Sequence, residues 1–215
     1  MGYIHYWDER YRKGGFEWGG KQTIVAEIAR DIMGKRKFKK VLDVGCGYGR
    51  DCIYLAKKGF DVVGIDVSTE AVRLARDWAN NEGLEIDFRH MDITNNSFKD
   101  FSFDTVIMFN TFHFMVEKVR EKTVTEIYRI LKNGGILVQA MFSRMEKGFG
   151  EGIEVEKNTF EFKPGRPVHF FSEGEIRSVF AQFTIGQLDE VDIYEVHQDG
   201  NEHFHREWLM VAEKI

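Results

Sequence analysis

The chain has 215 residues, of which 43% are hydrophobic and only two are prolines, so its composition excludes a disordered or collagen-like protein. A formal net charge of −5 argues against partners with dense negative charge, such as nucleic acid or an anionic membrane. With two cysteines and no apolar run long enough for a leader or a membrane span, a cytoplasmic, reducing location is expected.

The first predicted elements are an aromatic segment and a helix. Residues 1–20 are rich in aromatic residues and glycine and lack clear periodicity. From Lys21 to Met33 apolar residues recur at helical spacing, and Gly34 is expected to end that helix. The basic run at 35–40 is interpreted as the carboxyl-terminal flank of this helix, which the helix dipole favours, rather than as an RNA-binding patch.

Strands and helices then alternate along the chain. Short buried strands are predicted at residues 39–44, 60–66, 84–90, 103–110 and 136–142. Helices are predicted at 50–58, after a cap at Ser68 or Thr69, and at 117–131. This alternation predicts a single α/β domain with a doubly wound, parallel sheet.

The last third of the chain departs from this alternation. Residues 143–171 hold few helix signals, and a loop-rich insertion is predicted there. A helix at 173–181 is expected to precede two strands at 183–196 and 205–214. Because residues 197–204 contain a turn, these two strands are predicted to form an antiparallel hairpin.

The sequence VLDVGCGYGRD, residues 41–51, places three glycines directly after the first strand. Ligands of open parallel sheets bind beyond the carboxyl ends of the strands, and glycine lets a ligand approach the backbone closely. The dinucleotide fingerprint G-x-G-x-x-G is broken, because Arg50 stands where the third glycine belongs. Asp43 would also repel a pyrophosphate, so a nicotinamide oxidoreductase is disfavoured.

Acidic residues at the ends of successive strands favour a cationic nucleoside instead. S-Adenosylmethionine carries a sulfonium and an ammonium group, and both favour nearby carboxylates. Asp66 ends the second strand, where a carboxylate can accept hydrogen bonds from ribose hydroxyls. Asp92 follows the third strand, where it can accept from the adenine amino group, and its neighbours Met91 and Ile93 offer apolar contacts.

Five segments, in this order, resemble the class I S-adenosylmethionine-dependent methyltransferases: VLDVGCGYGRD (41–51), VVGIDVS (62–68), RHMDIT (89–94), FDTVIMFN (103–110) and LKNGGILV (131–138). The resemblance implies S-adenosylmethionine as cofactor and S-adenosylhomocysteine as product. It also implies a Rossmann-like sheet of seven strands, mostly parallel, with a reversed terminal strand. In such enzymes the methyl group moves by in-line displacement, for which the protein aligns the acceptor and excludes water.

The likeness places the cofactor at the carboxyl ends of the first four strands. The residues that it implies for cofactor binding are Asp43, Gly45, Gly47, Gly49, Arg50, Asp66, Val67, Met91, Asp92, Ile93 and Phe109, together with Trp18 from the amino-terminal segment. Asn110, at the end of the fourth strand, is expected on the side where the methyl group is presented. Together with His113 and Tyr6 it forms the expected catalytic set.

Most of the seven histidines follow strands at this same edge of the sheet. The predicted acceptor pocket, suited to a small or anionic molecule, consists of Arg144, His169, His197, His203 and His205, with Arg166 and Arg206 nearby. Each histidine could instead be a solvated loop residue. His203 and His205 share one face of a strand and could bind a metal, but no accompanying cysteine or acid pattern supports that, so no metal is expected.

The outer segments YWDERY (6–11), FEWGG (16–20), HFFSEGEI (169–176) and HFHREWLMVAEK (203–214) are similar to a small-molecule branch of these enzymes. That branch includes the tellurite-resistance and thiopurine methyltransferases, in which amino-terminal aromatic residues close over cofactor and acceptor. Residues 1–20 would then be a lid carrying Tyr6, Trp7, Tyr11 and Trp18, and residues 143–171 would cover the acceptor site. Packing under the first helix is the alternative role for these aromatic side chains.

The predicted function is therefore methyl transfer to a small-molecule acceptor, without a nucleic-acid or membrane partner. Two alternatives stay open: an RNA or protein methyltransferase, and a non-catalytic module that binds S-adenosylmethionine. The sequence FNTF (109–112) lacks the N/D-P-P-[FYW] signature of enzymes that methylate planar amino groups, which counts against the first. Whether the acceptor needs a general base depends on its protonation at working pH.

Overall fold

A computed structural model describes residues 2–196 and 202–215, with side chains described for residues 5–194 and 204–215. The strands in chain order are β1 (Lys40–Val44), β2 (Asp61–Asp66), β3 (Asp87–His90), β4 (Phe103–Phe109), β5 (Leu131–Phe142), β6 (Ile153–Glu156), β7 (Thr159–Lys163), β8 (Arg166–His169), β9 (Phe183–Val196) and β10 (Glu202–Lys214). Seven of them form one sheet in the order β3-β2-β1-β4-β5-β10-β9. Six of these strands run in one direction and β10 runs opposite to them, which confirms the predicted fold class.

The helices are α1 (Gly2–Gly14), α2 (Ile24–Arg36), α3 (Arg50–Lys57), α4 (Thr69–Asn81), α5 (Glu117–Ile130) and α6 (Glu173–Val179). Of the two cap residues considered for α4, Ser68 is the one used, because its Oγ accepts from the Ala71 N–H at 3.1 Å. Apolar clusters fill both faces of the large sheet, so the α/β layers bury their strands on two sides. None of the helices in the described ranges is long and apolar enough to cross a membrane.

The predicted end of α2 at Gly34 is wrong. The helix continues to Arg36 and ends at Lys37, which adopts a left-handed conformation and donates its backbone N–H to the Met33 carbonyl. A glycine inside a helix costs only about 1 kcal/mol relative to alanine. Burial of Val25, Ala29 and Met33 on the inner face of α2 outweighs this cost.

The prediction of a loop-rich segment over 143–171 needs a similar correction. Strands β6, β7 and β8 form a separate antiparallel sheet there. These strands are short and largely exposed along β6, so their sequence shows no clean alternation of buried and exposed positions. Phe160, Val168 and Phe170 pack with Phe142 into a small cluster that attaches this sheet to the end of β5.

The amino-terminal segment, which showed no clear periodicity in the sequence, contains helix α1. Asp8 attaches this helix to the beginning of α4. Its Oδ1 accepts from Ser68 Oγ at 2.7 Å and from Thr69 Oγ1 and the Glu70 N–H at 3.2 Å each. A carboxylate at the amino end of a helix is stabilised by unpaired backbone N–H groups and the helix dipole. Helix α1 is thereby held across the carboxyl edge of the sheet.

Candidate active site

A cavity of about 430 Å³ lies where β1, β2 and β4 end. Its inner end is formed by the loops that follow these strands. Its outer end is covered by α1 and by the β6–β8 sheet, whose Phe162, Arg166 and Val168 line the wall. The predicted residues that line this cavity are Tyr6, Trp18, Asp43, Gly45, Gly47, Arg50, Asp66, Val67, Met91, Asp92, Ile93, Phe109, Asn110 and His205.

The loop after β1 owes its path to Gly45 and Gly47. Both have positive φ angles, of 73° and 55°, which disfavour other residues. A Cβ on Gly45 would lie 2.3 Å from Thr111 Oγ1, and one on Gly47 would lie 2.6 Å from Tyr11 Oη. Glycine is needed at both positions because a Cβ would collide with these neighbouring side chains. The absence of a Cβ also leaves the loop backbone open to the cavity.

Gly49 has a different role from the one expected. It does not line the cavity. A Cβ at this position would lie 2.8 Å from Phe88 Cζ and 3.1 Å from Ala75 Cβ. Gly49 therefore allows the start of α3 to pack closely against β3 and α4, and its prediction as a cofactor-binding residue is corrected to a packing role.

Asp66 is the buried carboxylate at the end of β2. Its Oδ2 accepts from the Gly47 N–H at 2.9 Å, and its Oδ1 accepts from the Ser68 N–H at 2.8 Å. Burial disfavours the charged form and raises the pKa of Asp66 to about 6, although these two hydrogen bonds oppose the shift. The carboxylate thus joins the glycine loop to the start of α4.

Asp43 is a second buried acid, within β1. Its Oδ2 accepts from Cys52 Sγ at 3.2 Å. Burial, and then the negative charge of Asp51, raise the pKa of Asp43 well above its usual value. Asp51 in turn accepts from the backbone N–H and the Oγ1 of Thr23 at 2.7 Å each, at the beginning of α2. The acids at this end of the cavity favour a ligand with positive charge.

The third acid, Asp92, follows β3. Its Oδ1 accepts from the backbone N–H and Oγ1 of Thr94 at 2.8 Å each, which fixes the turn at Ile93–Asn95. Met91 and Ile93 line the same part of the cavity, with Val67 from the end of β2. An acid beside apolar side chains suits a flat heterocycle that carries an amino group.

Arg50 connects the inner end of the cavity to the amino-terminal segment. Its guanidinium lies 5.4 Å from the centroid of the Phe109 ring, and its Nη1 donates to the Trp18 carbonyl at 3.2 Å. Trp18 packs edge-on against Tyr11 at 5.9 Å. Tyr11 is half-buried, and desolvation raises the pKa of its hydroxyl well above the usual value. Aromatic side chains therefore cover the glycine loop.

Asn110 stands at the end of β4 with a positive φ of 47°. With its amide nitrogen facing β10, it donates to Glu207 Oε1 at 3.0 Å and Oε2 at 3.1 Å. Glu207 is fully buried. The sequence analysis missed this carboxylate, although an acid within the otherwise apolar strand 205–214 is the signal that could have found it.

His113 is wrongly predicted as a catalytic residue that contacts the acceptor. Its side chain is fully buried and does not line the cavity. Its Nδ1 accepts from the Phe142 N–H at 3.3 Å, and its ring stacks on the Phe142 ring at 3.8 Å. Burial, together with the positive charge of Arg166, lowers the pKa of His113 well below its usual value. His113 supports Phe142 from behind.

Two residues of the predicted acceptor pocket also lie away from the cavity. His169 is buried between Thr159 Oγ1 and Glu175 Oε1, each 2.7 Å from a ring nitrogen, and desolvation lowers its pKa. Arg144 pairs with Glu175 Oε2 at 3.4 Å. His169 therefore attaches α6 to β8, and Arg144 attaches α6 to the segment after β5. Of the other predicted histidines, His197 and the side chain of His203 lie outside the described residues.

His205 does line the outer end of the cavity. It lies on β10 two residues before Glu207, which is the first residue of β10 that pairs with β5, and its neighbour on β9 is Ile193. Its Nδ1 lies 2.8 Å from Glu146 Oε1, and its ring centroid is 4.9 Å from that of Phe142. The sequence analysis missed Glu146, which follows β5 at the same edge of the sheet.

Arg166 and Lys147 bring positive charge to the outer end. The Arg166 guanidinium lies 5.2 Å from the Phe114 ring centroid and 6.0 Å from that of Tyr6. Within the described part of the chain, neither cation has a carboxylate at ion-pair distance, although both line the cavity. Phe114, Phe142 and Phe170 supply the walls. The outer end is therefore aromatic with a cationic rim.

Comparison with known proteins assigns the family. Residues 41–135 match the family model described as a methyltransferase domain. A ubiquinone biosynthesis O-methyltransferase from Dinoroseobacter shibae is 32% identical over 175 residues, which cover 79% of this chain and 69% of the relative. The chain belongs to the class I S-adenosylmethionine-dependent methyltransferases. As an enzyme of this family, it uses S-adenosylmethionine as its cofactor.

Solved structures agree with this assignment. An S-adenosylmethionine-dependent methyltransferase from Methanosarcina mazei superimposes with a TM-score of 0.70 at 26% identity, covering 83% of this chain and 93% of that one. TehB from Haemophilus influenzae shares the fold, with a TM-score of 0.65 at 18% identity over 99% of this chain and 67% of that one. These matches confirm the family that the sequence indicated.

Proposed function

We propose that this methyltransferase acts on a small molecule, and that cofactor and acceptor share the cavity, the cofactor at its inner end and the acceptor at its outer end. The observation that carries this proposal is the division of one 430 Å³ space into an acidic glycine-loop end and an aromatic, cationic end. Such a volume suits a cofactor and a small acceptor, since ligand pockets of proteins span about 300–1,000 Å³.

At the inner end, the residues that line the cavity fit the chemical groups of the cofactor. Asp66 accepts hydrogen bonds from the ribose hydroxyls, and Asp92 accepts from the adenine amino group between Met91 and Ile93. The backbone of Gly45 and Gly47 approaches the methionine part, whose positive charges face the Asp43 side of the cavity. Arg50 acts by holding Trp18 and Phe109 in place.

When bound, S-adenosylmethionine supplies a methyl group on a positively charged sulfur, which is a good leaving group. The protein's task is alignment and exclusion of water. Phe109 and Asn110 form the wall between the two ends of the cavity, and Asn110 is held by its bond to Glu207. Tyr6, Trp7 and Trp18 close the side that would otherwise face solvent.

At the outer end, the aromatic walls and the two cations suit a flat acceptor that carries a negative charge. Arg166 lies between Phe114 and Tyr6, so its guanidinium can bind a carboxylate beside an aromatic ring. The name of the Dinoroseobacter shibae relative, an O-methyltransferase of ubiquinone biosynthesis, supports a small acceptor. The net charge of −5 and the cover formed by α1 disfavour RNA or a folded protein as acceptor.

The test is formation of S-adenosylhomocysteine by the purified protein with separate panels of carboxylated phenols, thiols, RNA and peptides. We expect turnover with small molecules and none above background with RNA or peptides. Turnover that depends on RNA or on a protein would overturn the proposed acceptor class. Binding of S-adenosylmethionine without turnover of any acceptor would favour a non-catalytic role.

A further inference from the structure

We infer that His205 is the general base of this enzyme and that Glu146 positions it, so the acceptor atom is a hydroxyl oxygen that arrives protonated. The inference rests on the proposed function, because it assumes that the acceptor occupies the outer end of the cavity. Four observations carry it: the hydrogen bond between the two residues, the burial of Glu146, the opening of His205 to the cavity, and the position of both at the carboxyl edge of the sheet.

The geometry of Glu146 shows that it is built to hold the imidazole. Its side chain is 8% exposed, its Oε1 lies 2.8 Å from His205 Nδ1, and its Oε2 accepts from the Arg206 backbone N–H. A carboxylate can only accept, so His205 Nδ1 carries a proton and donates it to Glu146. The basic nitrogen of the neutral ring is then Nε2.

The surroundings of His205 fix the plane of its ring. The Phe142 ring lies against it at a tilt of 33°, and the His113 ring stacks on Phe142 with an interplanar angle of 13°. Because His113 supports Phe142 and Glu146 holds Nδ1, the His205 ring is restrained from two directions. This arrangement explains why the sequence contains a buried histidine behind the cavity wall that itself does no chemistry.

The position of His205 suits proton transfer. It belongs to the part of the β9–β10 hairpin that extends past the end of β5, and Ser143 N–H donates to the neighbouring Arg206 carbonyl at 3.0 Å. His205 and Asn110 thus both line the cavity at the same edge of the sheet. A base must reach the acceptor from the side away from the leaving group, and the outer end is that side.

The proposed step balances as follows. The acceptor hydroxyl oxygen forms a bond to the methyl carbon, and the carbon–sulfur bond breaks with its electron pair passing to sulfur. The hydroxyl proton passes to His205 Nε2, and the imidazolium formed is stabilised by the Glu146 carboxylate. The proton later leaves to solvent, which restores the neutral ring.

Several charged or titratable groups lie around His205. In the described part of the chain they are Glu146 and Lys147 after β5, His113 before α5, Arg166 on β8, and Asp192, Arg206 and Glu207 on the hairpin. Since only the neutral ring can accept a proton, turnover of a phenol should fall at acidic pH.

The test compares His205→Gln and Glu146→Gln with the unmodified enzyme on 3,4-dihydroxybenzoate and on other small phenols. We expect His205→Gln to lower kcat by about 10²–10³-fold, in the range of general-base catalysis, and to remove the acidic limb of the pH profile. Glu146→Gln should lower kcat about tenfold and shift that limb. The matched control is His5→Gln, which removes the exposed His5–Glu9 pair of α1 and should leave kcat unchanged.

Two further readouts make the result independent of the phenol chosen. Calorimetry should give the same S-adenosylmethionine affinity, within about twofold, for all three variants. If the unmodified enzyme itself failed to bind the cofactor, the proposed function would be refuted rather than the role of His205. Nitrogen-15 NMR of the histidine rings should show neutral His205 protonated at Nδ1, and Glu146→Gln should disturb this tautomer. Any of three results would overturn the inference: a neutral His205 ring protonated at Nε2, an unchanged kcat in His205→Gln, or turnover of thiols but of no phenol.

Discussion

The two ends of the cavity differ in how they are built. The inner end is made from the loops that directly follow β1, β2, β3 and β4, and backbone N–H groups of those loops hold Asp66 and Asp92. The outer end is assembled from α1, β8, the segment after β5 and the start of β10, which are far apart in sequence. Enzymes of one fold can therefore keep one cofactor site while the acceptor site varies, because only the first depends on the sheet itself.

The largest expected effect comes from crowding the inner end. Gly45→Ala would place a Cβ 2.3 Å from Thr111 Oγ1 at a φ of 73°, so the loop must move. We expect the free energy of unfolding to fall by about 2–4 kcal/mol. S-adenosylmethionine affinity should fall about 100-fold or more. Thermal unfolding and calorimetry measure both quantities.

Gly34→Ala is the matched control for this substitution, because a Cβ there would meet nothing within 4 Å and the residue is helical. It should stabilise the protein by about 0.5–1 kcal/mol and leave cofactor affinity unchanged. Similar cofactor affinities for the two alanine variants would contradict the proposal that the glycine loop contacts the cofactor.

The second effect is on the pH dependence of cofactor binding. Burial raises the pKa of Asp66 to about 6, above its usual 3.8. The free energy of unfolding of the cofactor-free protein should therefore fall as pH rises from about 4 to 6. Because the ionised carboxylate accepts hydrogen bonds from the ribose hydroxyls, S-adenosylmethionine should bind about tenfold more weakly at pH 5 than at pH 7. Calorimetry over this range measures the change.

The variant Asp66→Asn distinguishes the contribution of Asp66 from that of Asp43, because burial raises the pKa of Asp43 as well. The variant should bind S-adenosylmethionine about 10- to 100-fold more weakly at pH 7, because it loses charge-assisted hydrogen bonds. It should also show a flatter pH profile. An unchanged slope would assign the pH dependence to Asp43 or to the ligand instead.

These two effects concern the end of the cavity that the sequence largely predicted. Five residues that the sequence assigned to this end line the cavity, since each lies in, or shortly after, a strand whose apolar run is clear: Asp43, Gly45, Gly47, Asp66 and Asp92. The parallel strands bring their carboxyl ends to one edge, so residues that are distant in sequence become neighbours without further information. The same reasoning mispredicted Gly49, because a glycine can be required for close packing as well as for the approach of a ligand.

The outer end was harder to predict. Three histidines occur at the carboxyl edge, but they differ in burial. His113 and His169 are inside the protein, whereas His205 faces the cavity. Periodicity in a sequence does not report which side of a short turn is buried. The partners that distinguish the three, Glu146 and Glu175 among them, are set by tertiary packing.

A smaller effect is expected from the cationic rim. Arg166→Gln should raise KM about tenfold for a carboxylated phenol, and much less for the same phenol without its carboxylate, because an ion pair is lost. The matched control is Lys163→Gln. Lys163 is the exposed cross-strand neighbour of Arg166 and does not line the cavity. Steady-state kinetics with the two phenols measure the difference, and equal effects on both would argue against anion binding by Arg166.

The smallest effect should come from loosening α1. Asp8→Ala removes the acceptor of Ser68 Oγ, Thr69 Oγ1 and the Glu70 N–H, and should raise the dissociation constant of S-adenosylmethionine about two- to fivefold. Glu9→Ala, its neighbour, loses only contacts to His5 and Lys13 on the same helix and should have no effect. Equal affinities for the two variants would show that α1 does not contribute to cofactor binding.

The most direct test of the division of the cavity is a crystal structure with bound S-adenosylhomocysteine. The account predicts the ribose at Asp66, the adenine between Met91 and Ile93 with its amino group at Asp92, and the sulfur beside Phe109 and Asn110, with open space toward His205 and Arg166. A nucleoside bound at the outer end, or sulfur that faces away from His205, would contradict it.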